Sequence, residues 1–112
     1  VELINDHIAG KEMDVGRFYL KKQNYIAALG RFKRVVERYD TTVQTPEALH
    51  RLVECYVALG MKEEARKTAA ILGHNFPGST WYADTFVLLE GEDYRLDHHK
   101  SDGRPWYKRM IS

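Results

Sequence analysis

Cysteine is almost missing from this 112-residue chain, in which Cys55 stands alone. One thiol forms no internal disulfide and supplies too few ligands for a thiolate zinc site. Set among Leu52, Val53 and Tyr56, it reads as a small core residue and not as a nucleophile. Prolines number three, and no stretch has the composition of a long disordered linker. Basic surplus is missing too: 17 Lys and Arg against 16 Asp and Glu leave a formal net charge of +1. Nucleic-acid binders carry a clear excess that displaces counterions from phosphates. No apolar run nears the ~20 residues of a membrane span, and no signal peptide or lipidation motif occurs. Because the chain opens at Val1 on residues that already read as helix, a fragment lacking an N-terminal part is expected.

Constellations that carry chemistry are equally thin. Glu63–Glu64 and Glu92–Asp93 are adjacent carboxylates, and neighbours on a helix point different ways, whereas paired catalytic acids face a common pocket. There is no Gly-rich phosphate loop. His7, His50 and His74 lie far apart and His98–His99 sit in a polar tail, so they read as solvated or capping residues. His74 suits the C-terminal end of a helix dipole. The expectation is a non-enzymatic chain with no metal or cofactor. An enzyme or metal protein using the histidines is the rival from another class.

What is present is repetition. Shifting the sequence by 37 carries Tyr19 onto Tyr56, Ala28 onto Ala65, Val35 onto Leu72 and Tyr39 onto Phe76. From Tyr25 to Tyr39, apolar residues recur at 25, 28, 29, 32, 35, 36 and 39, one stripe of an amphipathic helix. Leu3 to Lys22 reads as a long first helix. Thr45-Pro46-Glu47 reads as a helix start with Thr45 as the cap, and Gly60 as a left-handed C-cap before a short turn. A fourth helix is expected from about Lys62 to His74. After the Asn75-Phe76-Pro77-Gly78-Ser79 break, a fifth is capped by Ser79 or Thr80.

A helix pair cannot bury its apolar face alone, so the pairs stack. The fold class is therefore all-α, an α-solenoid of antiparallel helix pairs with two repeats and a C-terminal capping helix. The repeat domain spans residues 1–90, with pairs at about 1–40 and 45–76 and the cap at about 80–90. Residues 91–112 form a tail. That tail is either flexible or a segment that docks on a partner or on the solenoid through Trp106 and Tyr107.

Gly16, Tyr19, Tyr25, Ala28, Phe32 and Asp40, then Tyr56, Gly60, Ala65 and Pro77, resemble the tetratricopeptide pattern. Val53 stands where its small Gly would be and Ala69 where its large Phe would be, which predicts locally altered packing. The pattern's groove positions fall on Met13, Arg17, Leu20 and Lys21, then His50, Glu54, Val57 and Ala58. Arg17 and Lys21 could half-form a clamp for a peptide carboxylate, but Glu54 and Ala58 spoil its second half. On the second helix, Arg31, Arg34 and Arg38 fall three and four apart opposite the apolar stripe and line one ridge. Charge runs are commonly plain solvated faces; arginines also receive carboxylates bidentately at interfaces.

The stretches GKEMDVGRFYLKKQNYIAALGRFKRVVERYDTT, PEALHRLVECYVALG and LGHNFPGSTWY look like the C-terminal half of the BamD family of outer-membrane assembly lipoproteins, in its α-proteobacterial branch. The likeness spans roughly Val1 to Leu89. It implies a scaffold of five such repeats on the periplasmic face of a Gram-negative outer membrane, held by an N-terminal lipidated cysteine that this chain does not contain. It also implies docking to the POTRA domain of BamA nearest the membrane, and contacts with other BAM lipoproteins. Arg31 matches the Arg of a small-x-x-x-Arg-hydrophobic segment through which relatives contact BamA. Arg31 is thus expected to pair with an acidic group there, with Arg34 and Arg38 reinforcing it. The alternative is a generic adaptor that holds an extended peptide in the groove.

Overall fold

The computed structural model describes residues 2–97, with side chains for 3–92, and they form five helices: α1 Glu2–Lys21, α2 Tyr25–Arg38, α3 Thr45–Ala58, α4 Lys62–Asn75 and α5 Thr80–Asp97. There is no strand among the described residues. Turns of three residues (22–24 and 59–61) join α1 to α2 and α3 to α4, so each pair is an antiparallel hairpin. The pairs stack through α2 against α3, and α5 packs against both α3 and α4. That is the expected all-α, tetratricopeptide-like solenoid, with α5 in the place of a third pair's first helix. It continues through Gly91 to Asp97, past the expected end near residue 90. The rest of the tail, including His98, His99, Trp106 and Tyr107, lies outside the described residues.

The two hairpin turns have the same chemistry at positions 37 apart. Gly60 has φ +76°, and its N–H donates to Val57 while the Met61 N–H reaches Tyr56, the paired bonds of a Schellman cap. Gln23 has φ +61°, and the Gln23 and Asn24 N–H groups donate to the Leu20 and Tyr19 carbonyls. A side chain in that left-handed conformation costs about 1–2 kcal/mol. Gln23→Gly is therefore expected to raise stability by about 0.5–1 kcal/mol, measured by urea denaturation, after glycine's own entropy is subtracted. Asn24 then caps α2, its side-chain oxygen accepting from the Ala27 N–H at 3.3 Å.

Thr45 corrects one expectation. It is the first residue of α3 and not its cap; Gln44 precedes it with a helical backbone and no side-chain capping bond. The buried Thr45 hydroxyl instead donates to the Tyr39 carbonyl at 3.2 Å, tying the end of α2 to the start of α3. Ser79 does cap α5, its hydroxyl oxygen accepting from the Trp81 N–H at 3.1 Å.

Phe32 fills the centre of the first hairpin. A Cβ placed on Gly16 would lie 2.5 Å from the Phe32 ring, so the missing side chain is what lets that ring lie on α1. The second hairpin reverses the sizes: Val53 and Ala69, both buried, occupy the equivalent positions. The departures from the repeat pattern thus compensate each other in volume. At the far end, a Cβ on Gly73 would meet the Tyr82 ring at 2.6 Å, which marks where α5 closes on α4.

Candidate docking surfaces

Several of the side chains expected to line the groove are engaged in the chain's own contacts. Met13, expected to line it, is completely buried and belongs to the hydrophobic core with Phe32 and Val53. His50 is buried as well. Its Nδ1 lies 2.6 Å from the Thr85 hydroxyl of α5, its Nε2 lies 3.6 Å from Glu54, and its ring lies 5.4 Å from that of Trp81. The fifth helix covers it, so it offers a ligand nothing. Burial is also the main reason its pKa is lowered, against the opposing pull of Glu54.

Arg17 and Glu54 remain at the groove, but their charges are spoken for. Arg17 Nε and Nη2 donate to the two oxygens of Glu47 at 2.8 and 2.7 Å, and its Nη1 donates to Asp14 at 2.8 Å. Glu54 accepts from Arg51 at 2.8 Å, while Arg51 also donates to Glu47 at 3.2 Å and lies 5.2 Å above the Trp81 ring. The chain Asp14–Arg17–Glu47–Arg51–Glu54 thus links α1 to α3, and Trp81 extends it to α5. Lys21 is exposed at the end of α1.

The ridge of α2 differs. Arg34 and Arg38 are exposed and Arg31 is half-buried. Glu12, reaching across from α1, accepts from Arg31 Nη1 at 3.2 Å and has Arg34 Nη1 3.6 Å from its other oxygen. The Glu12 side chain is 17% exposed, and that second oxygen is buried without a hydrogen bond. Arg31 is held through one nitrogen. Its Nε and Nη2, the edge that takes a carboxylate bidentately, have no partner among the described residues. Arg17 has that same edge filled by Glu47.

The sequence singles out neither Glu12 nor Arg51, and Glu47 only as part of the start of α3. Glu47, Arg51 and Glu54 fall at helical spacings of four and three, so that half of the network was available in principle. The contacts of Glu12 with Arg31 and of Arg17 with Glu47 span 19 and 30 residues, and no local pattern announces them.

Glu47 carries a pH dependence. Its carboxyl is held below the ordinary 4.5, first by the Arg17 hydrogen bonds and against the desolvation that would raise it. A carboxyl depressed in the fold contributes stability above its unfolded pKa and loses it as pH falls through the folded one. Glu47→Gln is expected to cost about 1–3 kcal/mol at pH 7 and to flatten the stability curve below about pH 4.5, both measured by thermal denaturation across pH.

Cys55 is fully buried, and burial pushes its thiol up to about 12, so it is not a thiolate at neutral pH. No group of three or more His, Cys, Asp or Glu among the described residues is gathered for a metal. No described helix is long and apolar enough to cross a membrane.

Residues 1–72 match the YfiO family model, described as an outer membrane lipoprotein. An outer membrane protein assembly factor BamD from Caulobacter vibrioides is 53% identical over 95 residues, which is 85% of this chain and 31% of that protein. The one from Rickettsia prowazekii is 51% identical over 90 residues, 80% of this chain and 36% of that protein. A BamD from Neisseria meningitidis serogroup A is 30% identical over 103 residues, 92% of this chain and 34% of that protein. The chain therefore spans about a third of the length of these relatives. No solved structure matches it. With the helix pairs, the family match over residues 1–72 and the long alignments to these relatives, the chain belongs to the YfiO/BamD family of outer-membrane lipoproteins.

Proposed function

We propose that this chain is a non-enzymatic docking segment of the outer-membrane β-barrel assembly machinery, which it serves on the periplasmic face of the membrane. Its partner is the membrane-proximal POTRA domain of BamA, engaged through Arg31 with Arg34 and Arg38 beside it. Other lipoproteins of the complex are further partners. The names of the relatives support the assembly role. The observation that carries the choice of surface is the unequal use of the arginines: Arg17 on the groove side has all three guanidinium nitrogens on carboxylates, while the ridge keeps a bidentate edge of Arg31 and all of Arg38 without a described partner. Arginine is favoured at interfaces for this geometry.

The generic-adaptor reading needs a groove that can hold an extended peptide. Such a peptide would have to displace the Glu47 and Asp14 contacts of Arg17, and removing one partner of a part-buried charge pair is costly. The purified chain, immobilised and exposed to envelope extract, should retain BamA as its dominant partner. Retention of assorted proteins through their termini, with BamA absent, would favour the adaptor.

A further inference from the structure

The structure assigns Glu12 a role at the ridge: we propose that it is a positioning residue that pre-orders Arg31 and Arg34 for a partner's carboxylate. This rests on the docking reading above and concerns the same surface. Glu12 comes from α1, whereas the arginines come from α2. Its two oxygens face one guanidinium each, at 3.2 and 3.6 Å.

A long side chain that must be immobilised on binding weakens the complex by about two- to tenfold, the equivalent of 0.5–1.5 kcal/mol. A tether made in the free protein removes that loss beforehand. The tether at Arg31 uses Nη1 alone, so an incoming carboxylate can take the Nε–Nη2 edge without breaking it. Glu12 therefore does not compete for the atoms the partner needs. Two guanidinium groups face one carboxylate, so the cluster keeps a net positive charge and still attracts an acidic surface.

The second oxygen of Glu12 sharpens the case. It is buried and accepts no hydrogen bond, with Arg34 Nη1 slightly too far away. A buried acceptor left in that condition favours any state that supplies a donor. When Arg31 is fixed by a partner, closure of Arg34 onto this oxygen completes the cluster. The ridge is thus expected to bind an acidic side chain through Arg31, with Arg34 fixed beside it on Glu12.

The test compares Glu12→Ala and Glu12→Gln with the unaltered chain, using the purified POTRA domain as probe and surface plasmon resonance as readout. Glu12→Ala should raise the dissociation rate about three- to tenfold and leave association as fast or faster, because a negative charge has been removed. Glu12→Gln, which keeps an acceptor for Arg31, should recover part of the loss. Nitrogen-15 relaxation of the Arg31 and Arg34 Nε–H groups in the free chain should show greater mobility in Glu12→Ala. Unchanged or tighter binding by Glu12→Ala would overturn the proposal, as would unaltered arginine mobility. No binding by the unaltered chain would instead sink the docking reading, and the relaxation data would still decide whether Glu12 holds the arginines. Circular dichroism of both variants separates these effects from loss of fold.

Discussion

Phe32→Ala is expected to destabilise the fold by about 3–5 kcal/mol, the usual range for removing a fully buried aromatic ring. Phe32 has no solvent exposure and its ring lies against Gly16 of α1, so truncation leaves a hole between the two helices of the first hairpin. A domain of this size is stable by about 5–15 kcal/mol, so the loss takes a large share of the total. Gly16→Val alone should also destabilise, because its Cβ would stand 2.5 Å from the ring and overpacking costs about 1–3 kcal/mol. The double change Gly16→Val with Phe32→Ala recreates the Val53 and Ala69 arrangement of the second hairpin. It should be more stable than the sum of the single changes by about 1–3 kcal/mol, a coupling typical of touching residues. Urea denaturation of the four proteins measures it, and strict additivity would show that the two positions are not a packing pair.

Arg31→Glu has the second large effect. Breaking a charge-assisted contact that is buried in a complex costs about 2–5 kcal/mol, and reversal adds repulsion against the partner's acid. A loss of at least ~100-fold in affinity for the POTRA domain follows. The chain itself should stay helical, because position 31 is 35% exposed and a glutamate there can turn to solvent away from Glu12. Lys21→Glu, at the exposed end of α1, should change the affinity by less than about twofold, since rim charges contribute little. Raising the salt should slow association of the unaltered chain, through the screening of Arg34 and Arg38. Isothermal titration measures the affinities, circular dichroism the helicity, and surface plasmon resonance at two ionic strengths the association rate.

Where the sequence was informative, a physical period carried the information. The 3–4 spacing of apolar residues in α2 and the 37-residue shift locate the helix pairs, and Gly60 announces its left-handed turn because glycine alone enters that conformation freely. The matching turn at Gln23 carries no such sign, since an ordinary side chain is forced into the same geometry by the hairpin around it. The place of His50 in the repeat makes it a groove residue. Its burial depends on α5 lying across α3, a tertiary fact that spacing within α3 does not contain. Arg31 was legible as part of a ridge, but its partner Glu12 was not, because an amphipathic pattern says which face is polar and not which charges meet across two helices. The same holds for Arg17, whose Glu47 partner belongs to the next hairpin.

The central claim is that the partner is received by the arginines of α2 and not by those of the groove. Its most direct test is a titration of the chain with the POTRA domain, followed through the arginine Nε–H resonances. The Arg31 signal should shift or broaden at stoichiometric partner, with smaller changes at Arg34 and Arg38, while Arg17 and Arg51 stay fixed on Glu47. Perturbation of Arg17 and Arg51 with Arg31 unmoved would place the partner in the groove and contradict the account.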